Sequence, residues 1–135
     1  MSRKRRIEYR AVSDLRPYPK NVRIHPARQI NLLVKSIRKF KMTTALVIDE
    51  GNVILAGHAR FQAAQKAGYQ EVPVIVLRGL SDAEKRAYVL ADNKIAELAG
   101  YDQSALADEL SNLSAALISE GLDLNLTGFE IGEID

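Results

Sequence analysis

The clearest pattern in the chain is an apolar stripe between positions 28 and 40. Ile30, Leu33, Val34 and Ile37 recur at i, i+3, i+4 and i+7, which predicts an amphipathic helix with Arg28, Lys35, Arg38 and Lys39 mostly off the buried face. The period then changes. "TALVID" and "VILA" are short β-branched and aliphatic runs separated by the turn signal "DEGN", and they read as a hairpin. A single glycine, Gly57, follows, and a helical pattern begins at once, with Phe61 and Ala64 inward, Ala67 adding a small contact and Gly68 as its stop. "EVPVIVL", residues 71 to 77, is the clearest buried strand. Ser81 and Glu84 form a capping box that opens a helix running to about Leu98.

Upstream, "IEYRAVSDLRPYP" starts as a short strand and ends in a proline-punctuated turn, and "PKNVRIHP" is a loop bracketed by Pro19 and Pro26. Downstream, Asp102 or Ser104 caps a last helix whose stripe is Leu106, Leu110, Leu113 and Leu117, with Gly121 beyond its end. This stripe reads first as core, or as a docking face if a further domain exists. The order is strand, loop, helix, hairpin, helix, strand, helix, helix. It predicts an α/β (α+β) domain with a small mixed sheet, surrounding helices and a C-terminal helical extension, too small for a doubly wound nucleotide fold. The expected divisions are a basic tail at 1–6, the α/β domain at 7–98, a helical extension at 99–121 and a tail or linker at 122–135.

Composition narrows the chemistry. Hydrophobic residues make up 47% of the 135 positions, enough for a core. The absence of cysteine removes disulfides, thiolate metal sites and cysteine nucleophiles. No apolar run approaches the roughly 20 residues of a membrane span, and "MSRKRRIEYR" lacks the apolar segment of a secretory signal, so the expected location is cytoplasmic and without membrane association. The net charge of +2 conceals an asymmetry: residues 1–68 carry 15 Lys/Arg against 4 Asp/Glu, and residues 69–135 carry 4 against 13. The +11 front half implies a polyanionic partner, unless the halves neutralise each other in the fold. Arg3, Lys4, Arg5 and Arg6 in the tail and Lys35, Arg38 and Lys39 on the helix are the candidate nucleic-acid contacts, serving nonspecific phosphate binding.

The junction "AGHAR" carries the candidate site. A helix N-terminus presents free amides with partial positive charge. A glycine before it permits close approach of an anion, and an arginine in the first turn adds a fork matched to phosphate oxygens. His58 could donate to phosphate, move a proton near neutral pH, or be a surface or capping residue. His25 has no second histidine at metal spacing in the sequence, which argues against zinc.

The array "LRPYPKNVRIH … INLLVKSIRKF … ALVIDEGNVILAGHARFQAAQKAGYQEVPVIVL … ADNK" resembles the N-terminal domain of the ParB chromosome-partitioning family, with its ParB/sulfiredoxin fold, over residues 7 to 98. The resemblance implies that Gly57, His58, Ala59 and Arg60 form a Gly-x-x-Arg phosphate loop, and that Asn21 and Arg23 belong to a segment closing over a nucleotide. It implies that Asp92 and Asn93 match a motif that helps position Mg²⁺ and phosphate. The implied cofactor is CTP or ATP with Mg²⁺. Partition proteins usually carry Gly-Glu-Arg-Arg-x-Arg-Ala where this chain has Gly-His-Ala-Arg-Phe-Gln-Ala, so two arginines are absent; Asp92 stands in place of a glutamate. Sulfiredoxin chemistry, which uses a cysteine in this loop, is excluded. The C-terminal segment is similar to the one joining ParB-like modules to DNA methyltransferase domains. The expectations are therefore a nucleotide- and DNA-associated domain, with a possible homodimer and a possible downstream methyltransferase domain. The alternatives are a DNA-binding adaptor of a methyltransferase with a vestigial pocket, and a ParB-type nuclease or phosphotransferase.

Overall fold

The computed structural model describes residues 4–21 and 23–129. Four strands, β1 (Glu8–Ala11), β2 (Leu46–Asp49), β3 (Ile54–Ala56) and β4 (Glu71–Leu77), form one sheet in the order β1-β4-β2-β3. β1 runs antiparallel to β4, β4 parallel to β2, and β2 antiparallel to β3. The helices are α1 (Ala27–Phe40), α2 (His58–Lys66), α3 (Asp82–Glu97) and α4 (Gln103–Ser119). The mixed sheet and four helices agree with the fold class and the element order that the hydrophobic pattern predicts.

Alternation along the strands sends Leu46, Ile48, Val72, Val74 and Val76 to one face, all buried. Phe61 and Ala64 of α2 pack on that face, and Leu15 and Ile54 complete the cluster. The opposite side of α2 presents Ala59 and Ala63 to Ile30, Val34 and Ile37 of α1. α2 is thus a middle layer between sheet and helix. Alanine on its outer side lets α1 approach, and each fully buried Leu, Ile or Val contributes about 1.5–3 kcal/mol. The face predicted for α1 is the face observed, with Leu33 partly buried at its margin.

The chain then crosses the sheet. After β1, at one edge, a 3₁₀ turn (Val12–Asp14) leads past buried Leu15 to Arg16, which bridges Val53 beside β3 at the other edge. Arg16 N–H donates to Asn52 O at 3.0 Å, and Ile54 N–H donates to Arg16 O at 2.8 Å. The segment that follows, from Pro17 to Pro26, therefore starts next to the strand that feeds α2.

Asp49 carries a structural task that the hydrophobic pattern conceals. It is buried, and its Oδ1 accepts from the backbone N–H groups of Gly51 (2.9 Å) and Val53 (3.0 Å), which ties the β2–β3 turn. Its Oδ2 accepts from Lys85 Nζ at 3.1 Å, which fastens α3 to the turn. Ser81 and Glu84 bond reciprocally at 3.1 and 2.9 Å to start α3, as the capping-box spacing requires.

The chain divides into two compact units, Met1–Ala96 and Glu97–Asp135. In the second, Asp102 caps α4 by accepting from Ala105 N–H at 3.0 Å. Leu110, Leu117 and Leu124 are buried there, with Leu106, Leu113, Leu122 and Phe129 against them. The ring of Tyr101 meets Phe129 edge-on at 5.6 Å. The leucine stripe of α4 is a core.

Burial alone would raise the Asp49 pKa, but the Val53 N–H, the Lys85 ammonium and the Gly51 N–H outweigh it and hold it below the ordinary 3.8. A depressed carboxyl contributes stability that is present above its unfolded value and is lost as pH falls through the folded one. Urea unfolding is therefore expected to show stability falling below about pH 4, with a smaller fall in Asp49→Asn. At pH 7 that substitution is expected to cost about 1–3 kcal/mol.

Candidate functional site

β3 hands over to α2 at Gly57, which has φ 97° and ψ 23°. That left-handed conformation favours glycine. A Cβ built there would lie 2.7 Å from Leu46 Cδ2. The positive φ and the crowding by the buried Leu46 side chain both favour glycine at this turn.

The consequence on the other side is open backbone. Phe61 N–H is the first to bond within the helix, to Gly57 O at 2.9 Å. The amides of His58, Ala59 and Arg60 precede it and have no i−4 partner in the helix. They sit at the wall of a cavity of about 210 Å³. Its lining includes Asn21 and Arg23 from the upstream loop, Gly57, His58, Ala59 and Arg60 from the turn, and Asp92 and Asn93 from α3. All eight residues singled out as phosphate or metal candidates thus surround one space, drawn from three segments.

The lining also holds residues outside the candidate set. Leu55 and Ala56 come from β3, Leu33 and Gln29 from α1, and His25 precedes α1. Both histidines of the chain therefore face the same cavity, although they lie 33 positions apart. Their meeting is a long-range contact, for which short-range spacing gives no signal. His25 Nδ1 lies 2.9 Å from Gln29 Oε1, which orients both side chains at the α1 end.

Arg60 has no hydrogen-bond or ion-pair partner among the described residues. Its guanidinium is free to meet a ligand. Arg23 reaches α3: Nη1 lies 3.4 Å from Asn93 O and 3.5 Å from Asn93 Oδ1, long contacts that are easily exchanged for shorter ones. Asn21 Oδ1 accepts from Arg23 N–H at 3.2 Å.

His58 is buried, so its reading as a surface residue gives way. Its Nε2 accepts from the backbone N–H of Tyr18 at 3.0 Å. Burial, and then the neighbouring His25, hold His58 below the ordinary 6.5 and keep the ring neutral. A neutral ring whose Nε2 accepts carries its proton on Nδ1.

Asp92 is exposed and Asn93 half-buried. They offer oxygen donors of the kind Mg²⁺ takes while keeping most of its water. Among the described residues no three His, Cys, Asp or Glu side chains converge as a metal-binding group.

The nucleic-acid candidates lie elsewhere. Lys35, Arg38 and Lys39 are exposed on α1, with Arg38 and Lys39 in its last turn. Lys4, Arg5 and Arg6 are exposed ahead of β1, and Arg5 also lines a shallow cavity with Leu77 and Tyr88. Arg3 lies outside the described residues. No helix among the described residues is long and apolar enough to cross a membrane.

Comparison with known proteins places the fold. Residues 1–94 match the ParB N-terminal domain. The ParB-like nuclease domain-containing protein YnaK of Escherichia coli (strain K12) is 45% identical over 86 residues, 64% of this chain and 99% of that protein. The C-terminally truncated chromosome-partitioning protein ParB from Caulobacter crescentus, complexed with CTP-gamma-S, superposes with a TM-score of 0.76 at 20% identity, covering 95% of this chain and 74% of that one. The same protein complexed to the centromeric parS site gives 0.56 at 22% identity, over 79% and 56%. Sulfiredoxin from Arabidopsis thaliana gives 0.53 at 18% identity, over 62% and 97%. At these identities the structural matches establish the fold.

The two sides of the Gly57 turn are separable by mutation. Gly57→Ala is expected to destabilise the domain by about 1–3 kcal/mol, from the positive φ and the contact with Leu46. Arg60→Ala should change stability by less than about 0.5 kcal/mol, because the guanidinium has no internal partner to lose. Urea midpoints for the two variants check both figures.

Proposed function

The chain belongs to the ParB N-terminal domain family, and on that premise we propose that the cavity at the start of α2 binds the phosphates of a nucleotide in a domain that associates with DNA. The observation that carries this reading is the convergence on one cavity of the α2 N-terminus with Arg60 and of Arg23 from the upstream loop, with Asp92 and Asn93 of α3 on the same lining. The amides and the helix dipole favour negative charge. Arg60 supplies a fork matched to phosphate oxygens, and Arg23 supplies a second by exchanging its long contacts with Asn93. Asp92 and Asn93 would hold Mg²⁺ against the phosphates, with water completing the coordination.

CTP is the first nucleotide to test, because the Caulobacter ParB of the same fold is complexed with a CTP analogue. DNA association draws on the excess of basic residues in the front half and on the parS complex of that relative. Lys35, Arg38 and Lys39 would meet backbone phosphates, so binding would fall steeply with salt and discriminate little between sequences.

Calorimetric titration with CTP, ATP, ADP and GTP, with and without Mg²⁺, is the test. One nucleotide is expected to bind with micromolar affinity, and Arg60→Ala to weaken it at least about tenfold. Unchanged affinity in that variant removes the assignment. A second reading, cleavage of nucleic acid, takes its support from the name of YnaK. Asp92 is the carboxylate it would need, and metal-dependent nicking of plasmid DNA that disappears in Asp92→Ala would favour it.

A further inference from the structure

Tyr18 and His58 are 40 positions apart, and the hydrogen bond between them joins the upstream loop to the first residue of α2. The donor is backbone, so the bond fixes where the chain runs and leaves the Tyr18 side chain aside. Three residues later comes Asn21, and two after that Arg23, both facing the cavity. The other end of this loop is set by Pro26 at the start of α1, and its beginning by the Arg16 bridge. Between those two points, the bond from Tyr18 to His58 is a direct link from the loop to the helix end that supplies the amides.

We propose that His58 is a positioning residue whose neutral imidazole holds the 18–23 segment against the α2 N-terminus, so that Asn21 and Arg23 are presented to the anion only while His58 is uncharged. The chemistry is single-valued: an imidazolium has hydrogen on both nitrogens and accepts nothing, so protonation turns the contact from a bond into two opposed N–H groups. The charged and titratable groups that share the cavity with His58 are His25 before α1, Arg23 in the loop, Arg60 on α2 and Asp92 on α3. Three of these four are basic side chains, and they oppose a further positive charge on His58. Burial and His25 depress its pKa accordingly. A folded value below the free one means that the neutral, bonded form persists through neutral pH and is lost as pH falls through the depressed value.

A positive His58 would also attract an anion by charge alone, which predicts tighter binding in acid. The tether predicts the reverse, so the two effects separate in sign. The affinity part of this inference rests on the phosphate reading above, whereas the tether itself is testable without ligand.

The test uses the intact chain, ¹⁵N-labelled, with His58→Gln and His58→Leu. Glutamine places an oxygen acceptor near the position of Nε2 and does not titrate; leucine removes the acceptor and keeps the bulk. In the ligand-free natural chain the Tyr18 amide resonance is expected to titrate together with the His58 ring. Its hydrogen exchange, corrected for intrinsic rates, should quicken about tenfold across that transition. The Gln variant should keep the protection at both ends of the range, and the Leu variant should lack it at pH 7.5. A Tyr18 amide indifferent to His58 ionisation, or fully protected in the Leu variant, overturns the tether. Pyrophosphate affinity at pH 7.5 is expected to fall about tenfold in the Leu variant and to stay within about twofold in the Gln variant. Pyrophosphate binding that tightens in acid through His58, or equal binding in the Leu variant, overturns the control of affinity. No pyrophosphate or nucleotide binding by the natural chain would instead remove the phosphate reading, and leave the amide data to decide the tether.

Discussion

At Gly57 the sheet side of the turn is crowded, and a side chain there would press on the buried Leu46. Leu46 Cδ2 fills the space a Cβ would need, and the backbone turns through a positive φ to leave β3 and enter α2. Much of the first unit depends on this junction. It sets α2 close enough to the sheet for Phe61 and Ala64 to join the core, and it puts the first residues of α2 on the cavity lining. One constraint therefore serves packing on one side and electrostatics on the other. Local rules of this kind are often broken at functional positions; here a packing rule and an electrostatic opportunity coincide.

The surrounding polar residues divide by what they touch. Asp49, Lys85 and Glu84 are spent on structure: a turn, a helix attachment and a cap. Arg60 is spent on nothing internal, and Arg23 only on long contacts. His58 stands between these groups, bonded to backbone yet facing the cavity. An arginine left without a partner beside open amides is the arrangement expected of a site that awaits negative charge.

The elements were readable because their causes are local. The stripe of α1, the strand runs, the Ser81–Glu84 box and the Gly68 stop depend on residues at most a few positions apart. The sheet order, the burial of Asp49 and the company His25 keeps depend on contacts between distant segments. The Arg16 guanidinium bonds Gly51 O 35 residues away, Tyr18 bonds His58 across 40, and Arg23 approaches Asn93 across 70. Periodicity carries no information at that range. The meeting of Asn21, Arg23, Gly57, Arg60, Asp92 and Asn93 was anticipated from resemblance to a family, and helical or strand spacing alone would not have joined them. Asp49 was missed because an acid next to a turn signal reads as solvated, and only the tertiary contact with Lys85 shows why it is inside.

A cavity built from residues near 21, 57 and 92 exists only when those distant stretches have already been brought together. An unfolded chain offers an anion nothing comparable. An ion held there spans the chain as a noncovalent staple, closing one loop of about 35 residues and another of about the same length. Occupancy would then be felt as cooperativity of the whole first unit, with the gain growing with the logarithm of ligand concentration.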